Sequence, residues 1–176
     1  MSKILTTQLS GLLQRITQNE EEAIEETARL LAQAGIGEGN VYFACFGEMQ
    51  VVELNAFQAV ERFTKLVPWT KDTVITEADR VCIFTRSAHD EDALAFAQQL
   101  NNQFIPFAAV ASEVANAENP LADLAYTYIS TRMRGGLLPN DLGNRIVVPH
   151  AIAALFVYEA VKIAYDEMLG LDDEEL

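Results

Sequence analysis

Two hydroxyl side chains, Thr85 and Ser87, alternate at the end of a short apolar run, and His89 follows them. A helical pattern that opens with three acids comes next, and the free N–H groups at a helix N-terminus attract anions such as phosphate. Hydroxyls can donate to phosphate oxygens, and a histidine can serve as a cation or a proton donor. These residues therefore predict an anion site. The alternatives are helix capping by Ser87 and a solvated turn position for His89.

A second set of residues suits proton transfer. Aldose–ketose isomerisation needs a base that moves a proton between adjacent carbons and a group that shuttles the hydroxyl proton. Glu53 or Glu61 could be the base and His150 the shuttle, provided that their helices meet over one crevice. The alternatives are a solvated helix face for the glutamates and a backbone-bonded helix start for the histidine.

The remaining reactive side chains have weaker patterns. Arg132 and Arg134 concentrate positive charge in one loop, where they can reach a ligand or pair with surface acids. The acids at 90–92 match the preference of a first helical turn better than they match a metal site. Cys45 and Cys82 lie in apolar runs and are expected to be buried small hydrophobic residues. We expect no metal and no cofactor.

The elements that must position these residues are short apolar runs separated by helical patterns. Buried strands are predicted at 41–46, 81–85 and 105–110, with a short fourth strand at 125–130 and an edge strand at 66–68 that contains a proline. Unbroken apolar strands are typical of a parallel sheet covered by helices on both faces. The predicted fold is therefore a three-layer, doubly wound α/β fold, with a crevice beyond the ends of strands one and two.

The helical patterns predict an N-terminal helical hairpin and a long closing helix. Residues 1–35 are interpreted as two helices, because Thr17 to Glu20 has the spacing of a capping box. The other predicted helices span 49–64, 90–103 and 151–169. An apolar stripe in the first helix has no earlier element to cover it, which predicts a homodimer or larger assembly; its residues are Leu5, Leu9, Leu12 and Ile16.

Composition limits the partners. The chain has 176 residues, a net charge of −14 and a pI of about 4.4. One domain over 1–176 is expected, with an acidic tail at 170–176. The charge argues against nucleic acid and anionic membranes, since both need clustered Lys and Arg. There is no apolar run of roughly 18 residues and no signal-peptide pattern, so a cytoplasmic protein is expected.

This layout resembles the sugar isomerase (SIS) domain family, and phosphoheptose isomerases are the most similar members in length and arrangement. The family's first turn is glycine-rich and ends in a phosphate-binding serine, and here Phe46 to Gln50 keeps Gly47 and has Gln50 at the serine position. Its second turn is Ser-x-Ser-Gly, and here Thr85 to His89 keeps both hydroxyls but not the glycine.

The resemblance also implies catalytic positions. The glutamate of phosphoheptose isomerases falls on Ala59 or Val60, with Glu61 adjacent and Glu53 two turns earlier, and their histidine lies on the closing helix about one turn after His150. The implied function is a phosphosugar isomerase whose ligand is a small sugar phosphate. The alternative is a non-catalytic module that binds or senses a sugar phosphate or a nucleotide.

Overall fold

Four parallel strands form the central sheet. The computed structural model describes residues 1–171, and the part of the predicted acidic tail at 172–176 lies outside the described residues. The strands follow one another across the sheet in chain order and are almost wholly buried; they are β1 (Val41–Cys45), β2 (Arg80–Phe84), β3 (Phe107–Ala111) and β4 (Thr127–Ser130). The prediction of an α/β fold with a parallel, helix-covered sheet is confirmed.

The sheet is doubly wound, because the chain extends it first on one side of β1 and then on the other. After β1 it passes over one face through α2 (Gln50–Gln58) to Leu66, which forms a single parallel bridge with Val41. It then crosses the other face, where Trp69 packs, and enters β2 on the opposite side of β1. The predicted edge strand at 66–68 is thus reduced to one bridge. The crevice beyond β1 and β2 still lies where ligands bind in such sheets.

Helix α1 (Ser2–Ile36) is a single continuous helix, so the predicted N-terminal hairpin is wrong. The side chains that suggested a capping box have other partners. The Thr17 hydroxyl donates to the carbonyl of Leu13 within the helix, and Glu20 accepts from the backbone N–H of Ser130 in the sheet. Because both side chains are hydrogen-bonded to other groups, neither caps a helix N-terminus here, and α1 continues through this segment.

The apolar stripe of α1 packs mainly inside this chain. Leu12 and Ile16 are completely buried, while Leu5 and Leu9 pack against the same core, to which α5 (His150–Leu169) contributes. The assignment of Leu12 and Ile16 to a contact with a second copy is therefore wrong. The last helix of the chain covers the first, a contact between opposite ends of the sequence that no local pattern predicts.

The other helices flank the sheet on both faces. α1, α2 and α5 share one core, whereas α3 (Glu91–Asn102) and α4 (Pro120–Leu124) share the other. The prediction for 90–103 is confirmed, and α5 begins one residue earlier than expected. None of the helices among residues 1–171 is both long enough and apolar enough to span a membrane.

Helix α2 is shorter than the pattern at 49–64 predicts. A 3-10 turn at Gly47–Met49 precedes it, and it ends at Gln58 because Ala59 is extended. The chain then turns so that the Phe63 ring enters the core and stacks on Tyr165 at a centroid distance of 4.3 Å. Aromatic packing thus outweighs the remaining helical periodicity.

A small antiparallel hairpin, β5 (Leu138–Pro139) and β6 (Arg145–Ile146), precedes α5. The sequence predicts only irregular structure in most of this segment. The hairpin is closed tightly, because a Cβ atom on Gly136 would lie 2.5 Å from the backbone of Ile146. It connects the end of β4 to the start of α5 and lies beside α1.

Candidate functional site

A cleft of about 340 Å³ lies beyond the carboxyl ends of β1 and β2, at the topological switch point of the sheet. Both predicted turns contribute to it, so the prediction that the two strand ends form one crevice is confirmed. The lining residues are Phe46, Gly47, Glu48, Thr85, Arg86, Ser87, His89 and Asp90.

The turn after β2 already holds an anion, and that anion is a side chain of the protein. The Glu113 carboxylate, from the loop after β3, accepts a 2.6 Å hydrogen bond from the Ser87 hydroxyl and a 2.7 Å bond from the Ala88 backbone N–H. The Ser112 hydroxyl adds a longer bond of 3.2 Å. We call this set of donors the anion cradle. It has the chemistry that the sequence predicted for phosphate.

The cradle keeps its carboxylate charged. Partial burial alone would raise the pKa of Glu113, but the hydrogen bonds from Ser87, Ala88, its own backbone N–H and Ser112 together outweigh it and lower the pKa below its ordinary value. Ser87 is therefore committed to Glu113, while capping of α3 falls to Asp90, whose side chain accepts from the N–H of Ala93. A phosphate can occupy the cradle only when Glu113 leaves it.

The turn after β1 has a different character. Gly47 adopts a left-handed conformation, with φ of +59°, that suits glycine. The next side chain, Glu48, forms an ion pair with Arg86 across the mouth of the cleft, at 2.7 Å. This ion pair neutralises Arg86, which directly precedes Ser87 of the cradle.

His150, at the start of α5, is not among the lining residues, but it is near enough for charges at the cleft to act on it. Burial lowers the pKa of His150, the charges of Glu48 and Glu113 raise it, and Arg86 lowers it further, with a net downward shift. The net shift of the pKa favours the neutral form of His150. Its predicted partners are elsewhere, since neither Glu53 nor Glu61 lines the cleft.

The two predicted glutamates occupy other positions. Glu53 lies on α2 beside a broad depression that Gln50 also lines, and burial raises its pKa, partly offset by the backbone N–H of Trp69. Glu61 is exposed in the loop beyond the end of α2. Gln50 and Glu53 therefore face a surface distinct from the cleft.

Two further members of the predicted site differ in burial. Thr85 is only 2% exposed, and its hydroxyl has no hydrogen-bond partner among the described residues. Such orphaned hydroxyls are uncommon in protein interiors, and Thr131 and Tyr158 have two others in this structure. His89 is exposed, and its backbone N–H donates to the Ser87 hydroxyl at 3.2 Å.

The two predicted arginines lie on the far side of the sheet ends, away from the cleft. The Arg132 guanidinium pairs with Glu20 of α1, which is 5% exposed, through Nη2 at 2.5 Å. Arg134 is exposed and has no carboxylate within 4.0 Å among the described residues. The predicted ligand-binding set is therefore divided among three surfaces.

Sequence reasoning missed the two glutamates that matter most here. Glu113 follows Ser112 directly after the third apolar run, so its position at a strand end was a usable signal. Glu20 lies in the middle of a helix and gave no such signal, because only the packing of α1 against β4 brings it to Ser130. No cluster of His, Cys, Asp or Glu within residues 1–171 suits a metal ion.

The fold is shared with solved structures of sugar-phosphate proteins. The sugar isomerase domain of an RpiR transcription factor from Sphaerobacter thermophilus has a TM-score of 0.62 at 12% identity, covering 99% of this chain and 98% of that chain. The Vibrio vulnificus NanR protein complexed with ManNAc-6P has a TM-score of 0.69 at 14% identity, and the match covers 98% of this chain and 63% of that chain. The hypothetical protein MJ1247 from Methanococcus jannaschii has a TM-score of 0.64 at 15% identity, and the match covers 97% of this chain and 92% of that chain. A 3-hexulose-6-phosphate isomerase function was inferred for MJ1247 from its structure. This chain therefore has an SIS-like fold.

Sequence comparison gives a relative and a family. The Bacillus subtilis (strain 168) protein called uncharacterized protein YwjG is 31% identical over 170 residues, which are 96% of this chain and 98% of that protein. A family model, described as a domain of unknown function, matches residues 1–169. The chain belongs to this family, DUF2529.

Proposed function

We propose that the protein is a binding or sensing module for a sugar phosphate, which enters the cleft beyond β1 and β2 and replaces Glu113 in the anion cradle. The observation that carries the proposal is the cradle itself, in which Ser87 and the Ala88 N–H already hold a carboxylate at 2.6 and 2.7 Å. Carboxylate and phosphate oxygens accept the same charge-assisted hydrogen bonds. The NanR protein, which has a similar fold and is complexed with ManNAc-6P, supports this ligand class.

Binding without catalysis is favoured by the positions of the acids. Neither glutamate predicted as the base lines the cleft, and two carboxylates that do approach it are engaged, Glu113 with the cradle and Glu48 with Arg86. The ligand must displace an internal anion in a chain with a net charge of −14, so its affinity will be modest. When the ligand displaces Glu113, the loop after β3 that carries it would move, and this movement would signal that the site is occupied.

The test is binding of a panel of sugar phosphates, measured by thermal shift and calorimetry. A ligand at about 100 times its dissociation constant adds about 2.7 kcal/mol to the free energy of unfolding. The Thr85→Val, Ser87→Ala variant should lose this gain, while Ser10→Ala, on the exposed face of α1, should keep it. If the double variant binds as well as the parent, the ligand does not use the cradle.

An isomerase is the second candidate, and His150 is the observation that favours it. A histidine whose pKa is lowered by burial, near a cleft with carboxylates, can shuttle a proton. If the protein is an isomerase, proton NMR will show conversion of a bound sugar phosphate, and His150→Ala will abolish turnover while binding is retained. An unchanged substrate spectrum under saturating binding would leave only the sensing function.

We also propose a homodimer. Apolar side chains that the core leaves exposed on α5 support it, among them Ile152 at 47% and Ile163 at 61% exposure. Light scattering at micromolar concentration is the test. Ile163→Glu should give a monomer with an unchanged circular dichroism spectrum, whereas a monomeric parent protein would refute the proposal.

A further inference from the structure

The geometry points to a second anion site, separate from the cleft, that takes a small organic anion carrying at least two phosphate charges. It is a pocket of about 450 Å³ between α1 and the segment that joins β4 to the β5–β6 hairpin. Four arginines line this pocket, which we call the arginine pocket: Arg15, Arg132, Arg134 and Arg145.

The concentration of charge is unusual for this chain. The whole sequence has 12 Lys and Arg residues against 26 Asp and Glu, yet four of the 12 line one pocket and no acid among residues 1–171 lines it. Within residues 1–171, only Arg132 has a carboxylate partner there, the buried Glu20. Among the described residues, Arg15, Arg134 and Arg145 have no carboxylate within 4.0 Å.

Like charges held close together repel one another, and an anion between them removes that cost. Arg62 and Arg80 also lack a carboxylate within 4.0 Å among the described residues, but neither lines this pocket, whereas three such arginines converge on it. The pocket therefore has three positive charges that the described part of the chain does not neutralise. This complement fits a ligand with two to three negative charges.

Two of these arginines lie on regular elements and Arg132 is held by an ion pair, while Arg134 lies in the loop after β4. Arg15 lies on the face of α1 that also presents Leu12, which is completely buried. Arg145 is fixed on β6, since its Nε donates to the carbonyl of Gly136 at 2.9 Å and its Nη2 to that of Leu137 at 3.3 Å. Arg132 is held by Glu20 and adopts a left-handed conformation with φ of +57°.

Shape and chemistry narrow the ligand class. Guanidinium groups donate two parallel hydrogen bonds to phosphate oxygens, which makes arginine the preferred partner of phosphate at close range. The volume falls in the range of small-molecule sites, about 300–1,000 Å³. The floor is apolar through Leu12, Met133 and Leu137. An organic group with a diphosphate, such as a nucleoside diphosphate, satisfies both the charges and the floor.

The test is isothermal titration of the full-length protein with ADP and with inorganic pyrophosphate. Both probes should bind, with affinity that falls as salt rises, because ion pairs are screened. ADP should bind more tightly than pyrophosphate, since only ADP covers the apolar floor. Binding of neither probe at millimolar concentration would overturn the inference, and pyrophosphate binding as tight as ADP binding would overturn the role of the floor.

Variants locate the site. Arg15→Ala and Arg134→Ala should each weaken ADP binding about tenfold or more, as expected for a lost charged hydrogen bond. Both side chains are exposed and make no ion pair within residues 1–171, so the fold should be unaffected. Arg62→Ala, an exposed arginine beside α2, is the matched control and should change the affinity less than about twofold.

The cleft variant separates this site from the proposed sugar-phosphate site. Ser87→Ala should leave ADP binding unchanged, because Ser87 belongs to the anion cradle. Loss of ADP binding in Ser87→Ala, with no loss in the Arg15→Ala, Arg134→Ala double variant, would assign the ligand to the cleft and overturn this inference. The two proposals can thus fail independently.

Discussion

The anion cradle and the arginine pocket are both built for negative charge, but the protein fills only one of them. In the cradle, Glu113 satisfies Ser87 and the Ala88 N–H from within the chain. In the arginine pocket, three guanidinium groups have no carboxylate partner among residues 1–171. The cradle therefore requires displacement before it binds, whereas the pocket is ready to bind. The comparison shows that the internal partners, as well as the donors, decide which site is free.

A chain of hydrogen bonds over the strand ends connects the two places. The Ser130 hydroxyl donates to the carbonyl of Ser112, next to Glu113, and accepts from the backbone N–H of Arg132. The Ser130 N–H in turn donates to Glu20, the partner of Arg132. Each of the two internal glutamates is therefore tied to the same edge of the sheet.

The largest expected effect comes from Glu20→Ala. Removing the Glu20 carboxylate leaves the buried N–H of Ser130 without its acceptor and takes the partner from Arg132, whose side chain is 24% exposed, so the free energy of unfolding should fall by about 2 kcal/mol. Urea unfolding followed by circular dichroism measures this loss. Glu22→Ala, an exposed position on the same helix, is the control and should change stability by less than about 0.5 kcal/mol. Equal effects for the two variants would show that the Glu20–Arg132 pair does not stabilise the fold.

The second prediction concerns Glu113 as a competitor. Glu113→Ala empties the cradle, so the affinity for a sugar phosphate should rise about tenfold, the equivalent of about 1.4 kcal/mol for one displaced charged group. Glu113→Gln keeps the shape but not the charge and should give an intermediate value. Calorimetry with the same sugar phosphate compares all three proteins. An unchanged or weakened affinity in Glu113→Ala would contradict the claim that Glu113 competes with the ligand for the cradle.

A smaller effect is expected in the pH dependence of stability. Because the folded-state pKa of Glu113 is lowered, its contribution is fully present above the ordinary value of 4.5 and is lost as pH falls through the folded pKa. The stability advantage of the parent over Glu113→Gln should therefore shrink below that pH. Urea unfolding of both proteins between neutral and acidic pH measures it. An advantage that stays constant with pH would mean that the carboxylate is not held in its charged form.

The smallest effect is expected for Glu48→Gln. The Arg86 and Glu48 side chains are 63% and 37% exposed, so losing their ion pair should cost less than about 1 kcal/mol. The Glu48 charge raises the pKa of His150, so its removal should lower that pKa further. NMR titration of His150 in the parent and the variant checks this. A higher pKa for His150 in the variant would contradict the placement of Glu48 beside it.

The sequence determined the sheet and the position of the cleft. The apolar runs at 41–46, 81–85 and 105–110 match the buried strands to within one or two residues at each end, because a strand covered on both faces needs an uninterrupted apolar run. The hydroxyls at 85 and 87 were identified for the same reason, since polar residues that end such a run must lie at the sheet edge. These inferences depend only on local pattern and on the geometry of parallel sheets.

The tertiary structure decided everything that depends on partners distant in sequence. Glu113 fills the cradle 26 residues from Ser87, and Glu20 reaches Arg132 across 112 residues. Helix α1 stays continuous because Glu20 bonds to β4, and its apolar stripe is covered by α5 at the opposite end of the chain. No local pattern encodes these pairings, because charge and apolar surface are satisfied by whichever groups the completed fold brings into contact.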